Sequence, residues 1–198
     1  MEFLDYFPLT GFLLMMAFVA ARIYLLTKKQ IRVMAAANPK KPLLILRYLI
    51  FTFLFLLWFL ELCQPFFSFS ILPELLTRIL INGTFLKAAG ALLITLALVL
   101  WVLTLVYFKA SLRLGLDATN RGKLITTGIF SISRNPFFLS LDLYFCGVAL
   151  VFPNVFMIVF ALAALVGIHL SILKEERFLL QNYGEEYQNY QQKTGRYF

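Results

Sequence analysis

Two stretches hold most of the side chains able to do chemistry. The first runs Lys123-Leu124-Ile125-Thr126-Thr127-Gly128-Ile129-Phe130 and, three residues on, Arg134-Asn135-Pro136-Phe137-Phe138. Asn135-Pro136 reads as a helix start: Asn caps well, and Pro at the first helical position lacks an N–H that would be orphaned anyway. With Arg134 beside it, such a start suits an anion, and equally suits an ordinary capped helix with a topology-setting arginine. Gly128 permits a positive φ or a close backbone approach to a ligand. The second stretch opens with Lys174-Glu175-Glu176-Arg177 and continues through Tyr183-Gly184, Tyr187, Tyr190 and Arg196. Gly184 reads as a helix stop, after which Glu185-Glu186 open a second short helix. Tyr183, Tyr187 and Tyr190 recur at i, i+4 and i+7, one helical face that suits either the bilayer interface or the wall of a cofactor pocket.

Two isolated residues join these. Asp142 interrupts an otherwise apolar run. An aspartate at a membrane-helix centre costs about 2.5–3.5 kcal/mol, so it must face the bundle interior. There it either pairs with a structural partner such as Arg47 or serves a substrate cavity. His169 lies seven residues before Glu176, on the same helical face. It borders the same cavity or packs between helices with a hydrogen bond. It is the chain's single histidine, which with the unpatterned Cys63 and Cys146 leaves no metal-binding spacing.

The elements that must position these groups are membrane spans. Of 198 residues 61% are hydrophobic and 14% charged, against about 45–50% and about 25% in soluble domains, and the excess lies in long runs. The runs are Pro8–Leu26, Leu43–Cys63, Ala88–Phe108, Pro136–Phe152 and Asn154–Leu173. The first has acidic residues before it, basic ones after it and no small-residue cleavage site, so it is expected to stay as a span. Pro153-Asn154 leaves almost no linker, so the last two form a tight hairpin. The net charge of +8 sits between the runs, which argues for topology-setting charge and against nucleic acid. Lys28, Lys29, Arg32, Lys40 and Lys41 occupy one loop; Lys109, Arg113, Arg121, Lys123 and Arg134 occupy another. The positive-inside rule places both in the cytoplasm, with the N-terminus outside and the C-terminal segment inside. Pro65–Leu86, broken by Pro65, Pro73 and Gly83, reads as interfacial, with a short helix over Pro73–Ile81; a sixth span there is the competing assignment. The fold expected is all-α: one polytopic integral membrane domain over 1–198, with about five transmembrane helices and a cytoplasmic helical segment at its C-terminal end. Residues 1–87 supply the N-terminal spans and interfacial segment.

Gly128-Ile129-Phe130 with Arg134-Asn135-Pro136-Phe137-Phe138 resembles the first signature of the isoprenylcysteine carboxyl methyltransferase family. Glu175-Glu176, Leu179, Tyr183-Gly184, Tyr187, Tyr190 and Arg196 resemble its second. Phospholipid N-methyltransferases share a looser form of the same plan. The resemblance covers about residues 109–198 and implies a cofactor-binding catalytic core there, using S-adenosylmethionine (SAM), with a lipophilic or prenylated acceptor entering from the bilayer. It implies catalytic roles for Arg134, Asn135 and Glu176. It implies cofactor contacts from Lys123, Leu124, Thr127, Gly128, Phe130, Pro136, Phe138, Glu175, Tyr187 and Tyr190 as well, and a substrate cavity near Asp142, His169 and Arg196. Arg134 and the helix start suit the cofactor's carboxylate, Glu175 or Glu176 its ammonium or ribose, and the aromatics its adenine or sulfonium. Asn135 stands where the family usually has His, so no acid–base role is assigned to it.

Methyl transfer to a carboxylate is an in-line displacement that needs neither metal nor general base; positioning and exclusion of water supply the rate. O-methylation of a lipid-like or prenylcysteine-type carboxyl is therefore the first expectation. An amine acceptor, as in phospholipid N-methylation, must lose a proton, which makes Asp142 or His169 a candidate base. Outside the methyltransferases stand a nicotinamide-dependent membrane reductase, for which Lys109, Arg113 and Lys123 offer positive charge, and a non-catalytic membrane protein.

Overall fold

The computed structural model describes residues 2–30, 42–67, 69, 71–108 and 123–198, with backbone alone at Pro42, Leu43, Leu44 and Arg47. Every regular element is helical among these residues. A backbone crossing hydrocarbon must satisfy its own hydrogen bonds, and a helix does so within one segment. After a 3-10 turn at Phe3–Tyr6 come α1 (Phe7–Lys28), α2 (Pro42–Phe67), the four-residue α3 (Glu74–Thr77), α4 (Thr84–Tyr107), a 3-10 turn at Gly128–Ser131, α5 (Pro136–Val151), α6 (Val155–Tyr183) and α7 (Glu185–Lys193). Four helices are long and apolar enough to cross a membrane, and α5 is a shorter apolar helix. The molecule is a multi-pass membrane protein that associates with the bilayer.

Contacts fix the helix directions. Asp5 pairs with Lys87 and Trp101 Nε1 donates to the Met15 carbonyl, so α1 and α4 run the same way. Trp101 stacks on Phe137 while Gly90 lies against Gly147 and Val151, so α5 runs back along α4. A Cβ on Gly90 would stand 2.6 Å from the Gly147 carbonyl oxygen; bare glycines allow this close crossing, the usual device where helices pack in lipid. Trp58, Tyr144, Ile94, Val148 and Met157 fill the middle. The buried Tyr144 hydroxyl donates to the Pro8 carbonyl at 2.7 Å, which satisfies its polar tip.

These directions decide the fate of residues 65–86. The end of α2 (Glu61, Gln64), the start of α1 (Asp5) and the start of α4 (Lys87) line one cavity with the α5–α6 turn (Phe152, Asn154). The chain leaves and re-enters the bundle at the same end, so, among the described residues, 65–86 form no sixth span. Glu61, buried, accepts from the backbone N–H of Ile71 and Leu72 at 3.2 and 3.1 Å, and Leu80 N–H donates to the Pro153 carbonyl. Two local expectations need correction. Pro65 does not end α2, which runs on to Phe67; its missing N–H deprives the Glu61 carbonyl of the usual helical donor without stopping the last turn. The short helix expected over Pro73–Ile81 is only Glu74–Thr77, one turn being all that a stretch tied to neighbouring carbonyls can form.

Two lengths shape the opposite end. At 1.5 Å per residue the 29 residues of α6 span about 43 Å, well beyond a core of about 30 Å, so Lys174–Tyr183 continues past the apolar run. The 16 residues of α5 span only about 24 Å. Phe137 meets α4 at Trp101, six residues before that helix ends, which recesses the start of α5 by about 9 Å.

Candidate active site

The recess beneath α4 is where the two polar stretches meet. The α5 start presents Arg134 and Asn135, the projecting part of α6 brings Glu176, and α7 turns the chain back so that Thr194–Tyr197 lies across both. Gly184 makes this possible with φ +54 between α6 and α7, as its reading as a helix stop required. The first residues of α7 are Glu185 and Glu186, as expected at a helix N-terminus.

Glu176 is the hub, with only 5% of its surface exposed. Its Oε1 accepts from Arg134 Nε (3.2 Å) and Nη2 (3.0 Å) and from Asn135 Nδ2 (3.2 Å). Its Oε2 accepts from Arg196 Nε (3.1 Å) and Nη2 (2.8 Å). Burial raises its pKa, but the hydrogen bonds and charges of Arg196 and Arg134 outweigh that and hold the carboxyl below the usual range. Arg134 spends Nη1 on the Gln191 and Thr194 carbonyls, and its backbone N–H donates to the Gly195 carbonyl at 3.0 Å. Ser133, buried, accepts from Asn135 N–H and donates to the Arg196 carbonyl. Segment 133–135 and segment 194–196 are thus stitched together around one carboxylate.

This geometry turns the Arg134 and Asn135 side chains to Glu176, while the first-turn backbone N–H groups of α5 stay uncapped. Asn135 makes no side-chain cap; its Nδ2 is drawn instead to Glu176 and the Arg196 carbonyl, because a charged acceptor outbids a backbone N–H. Pro136 does hold the first helical position. Arg134 faces inward, its side chain 9% exposed. Arg196 keeps the freer guanidinium: its side chain is 36% exposed and its Nη1 has no partner among the described residues.

The aromatic residues divide. Tyr187 and Tyr190 are buried at an edge-to-face centroid distance of 6.0 Å, and Tyr190 OH donates to the Phe130 carbonyl. Burial pushes the Tyr190 phenol up to about 12 and raises Tyr187 too, so both remain donors. Phe130 packs edge-on against Phe108 at 4.9 Å. Phe138, half-buried, packs on Phe137. Gly128 has φ +66, and a Cβ there would stand 2.0 Å from the Tyr107 ring; its bareness admits Tyr107. Lys123 and Thr127 are exposed and Leu124 half-buried, and no hydrogen bond joins them to the Glu176 cluster among the described residues. The basic residues at 31–41 and 109–122 lie outside the described residues, as does the Arg47 side chain.

Glu175, half-buried beside the hub, has its carboxyl pushed up to about 7, by burial first and then by the Glu176 charge. Deeper in the bundle, Asp142 has a buried Oδ1 with no hydrogen-bond partner among the described residues. His169 Nδ1 lies 2.7 Å from the Tyr197 hydroxyl, with the two rings stacked at 6.2 Å. The Tyr197 phenol is raised, by burial first and then by the charge of Asp142. Ser133, Thr194 and Tyr197 were not singled out from the sequence. Small hydroxyls carry no pattern, and Tyr197, though seven residues after Tyr190, lies beyond the end of α7 at Lys193.

With Glu175, pushed up to about 7 and so only about half ionised at that pH, set beside it, the Glu176 cluster itself holds two arginines against one carboxylate and carries a surplus positive charge. Its free donors are the outer edge of Arg196 and the uncapped first-turn N–H groups of α5. No curated protein and no solved structure matches the chain at significance. A family model for phospholipid methyltransferase matches residues 85–186. That match begins at α4, takes in α5 and α6 and ends just inside α7, covering just over half of the chain, and by it the chain belongs to the phospholipid methyltransferase family of membrane methyltransferases.

Proposed function

We propose that the protein is a SAM-dependent methyltransferase that methylates the amine headgroup of a membrane lipid. The observation that carries the amine is Asp142. A carboxyl with one buried oxygen lacking a partner among the described residues, near enough for its charge to raise the Tyr197 phenol, attracts an ammonium and disfavours an anionic acceptor. A carboxyl acceptor rests on the resemblance to the isoprenylcysteine enzymes alone.

The residues present fit the cofactor's amino-acid end. Its carboxylate finds the surplus positive charge at the Arg196 edge and the first turn of α5. Glu175 is the carboxyl beside them whose oxygens have no partner among the described residues, and so the one able to accept from its ammonium or ribose. Arg134, Asn135 and Glu176 act by holding this wall in place. SAM supplies a methyl group activated by a sulfonium. Phe130, Tyr187 and Tyr190 exclude water from the recess, which strengthens charge interactions within it. The recessed start of α5 sets the chemistry below the end of α4, where a headgroup reaches it while its chains stay in lipid. Lys28 and Lys29 stand at this end of α1, and with the other basic residues of the two loops they support a recess that opens to the cytoplasm.

The test is purified protein in nanodiscs containing a lipid with a primary-amine headgroup, incubated with methyl-labelled SAM. Label recovered in an N-methylated headgroup is the expected result. Label in a base-labile methyl ester of an added prenylcysteine, with none in the headgroup, would replace the amine by a carboxyl. SAM binding lost in Arg196→Ala is expected, and unchanged binding there would sink the cofactor placement.

A further inference from the structure

Under this reading the acceptor reaches the enzyme as an ammonium, and something must take its proton before the nitrogen can attack. We infer that His169 takes it through Nε2, and that Tyr197 is the positioning residue that fixes His169 in the tautomer able to do so. The inference rests on the amine reading but adds to it a pair of residues, both absent from the two recognised signatures.

The geometry runs as follows. Arg196 is clamped to Glu176 through Oε2, and its carbonyl accepts from Ser133 Oγ and Asn135 Nδ2. The next residue, Tyr197, therefore has its backbone held against the α5 start, and its hydroxyl reaches α6 at His169 Nδ1, 2.7 Å away. Near-parallel ring planes, 21° apart, restrict rotation of the imidazole. With Nδ1 occupied, Nε2 is the only ring nitrogen left for an acceptor. Which nitrogen carries the proton is set by the hydrogen bond the other makes. Asp142 supplies the bias: its negative charge acts on Tyr197, and that field favours the phenol with its proton turned from the ring. The phenol oxygen then receives Nδ1–H, and the lone pair lies on Nε2. Free imidazole prefers the opposite tautomer, so the arrangement is one the fold must impose.

The steps balance. The ammonium transfers one proton to Nε2 and becomes a neutral amine, and His169 becomes an imidazolium with both nitrogens protonated. The amine lone pair then forms the N–C bond as the C–S bond breaks and its electron pair remains on sulfur as the neutral thioether. The product nitrogen carries the positive charge, and the imidazolium releases its proton to solvent as product leaves.

His169 is the single histidine, so its 15N imidazole signals need no assignment. In protein labelled at histidine, held in nanodiscs at a pH where the ring is neutral, the shifts are expected to report protonated Nδ1 and unprotonated Nε2. In Tyr197→Phe the pattern should revert to protonated Nε2, with kcat for the amine lipid down about 10–100-fold and KM and SAM binding within twofold. Retained SAM binding shows that the Arg196 clamp survived. His169→Gln should lose the same kcat and gain no further loss from Tyr197→Phe. Protonated Nε2 in the wild type, or equal kcat in Tyr197→Phe, overturns the inference while leaving amine methylation standing. Absence of any N-methylated headgroup overturns the amine reading itself, whatever the tautomer.

Discussion

Replacing Glu176 by Gln isolates the clamp from the chemistry. The substitution keeps one carbonyl oxygen for Arg134 and Asn135 but points an amide NH2 at Arg196 Nε and Nη2, where Oε2 now accepts at 3.1 and 2.8 Å. It also leaves Arg134, 9% exposed, without its counter-ion. Removing one partner of a buried pair costs about 3–5 kcal/mol. The half of the cluster that belongs to Arg196 is 36% exposed and screened, so about 3 kcal/mol is the working figure. At about 1.4 kcal/mol per decade that is roughly a 100-fold rise in the population with Thr194–Tyr197 undocked. The Arg134 amide reports it directly, because its N–H donates to the Gly195 carbonyl. Hydrogen exchange in nanodiscs should show the protection of that amide falling about 100-fold, while amides in the middle of α4 and α5 keep theirs. The wild type should reach the same state with acid. The lowered Glu176 pKa means docking persists above the ordinary glutamate value of 4.5 and is lost only as pH falls through the depressed one. Unchanged Arg134 protection in Glu176→Gln, with SAM binding abolished, would refute the clamp and make Glu176 a direct ligand.

Three further outcomes follow from other parts of the structure. Glu175→Gln should raise the melting temperature at pH 8 and leave it unchanged at pH 5. The folded carboxyl holds its proton up to about 7 against 4.5 ordinarily, so the wild type loses stability as pH rises through that window. Gly90→Ala should cost about 1–3 kcal/mol in thermal or denaturant unfolding, since the new Cβ meets backbone at 2.6 and 2.9 Å. Combined with Gly147→Ala, the cost should be less than the sum, because both open the same crossing. Asp142→Leu should stabilise the bundle by about 3 kcal/mol, the insertion cost of the aspartate, and abolish amine methylation while SAM binding persists.

The apolar spans and the two polar stretches were legible from residue type and order alone. Hydrocarbon imposes a length and a composition on any helix that crosses it, and that constraint is local. The Asn154 start, the Gly184 stop and the α5–α6 hairpin were legible for the same reason: caps and turns are decided within a few residues. What residue order left open was every outcome that depends on a distant partner. Whether 65–86 crosses the membrane was settled by which ends of α2 and α4 lie together with Asp5 and Lys87. Whether Arg134 and Asn135 face a ligand or the protein was settled by Glu176, some 41 residues away, whose charge claims both. Tyr197 belongs to neither signature, and gains meaning only because Arg196 is held at Glu176 and sets the next side chain against His169. Local patterns report the energy of a segment in its solvent, and a site is made by competition among groups that only the folded chain brings within reach.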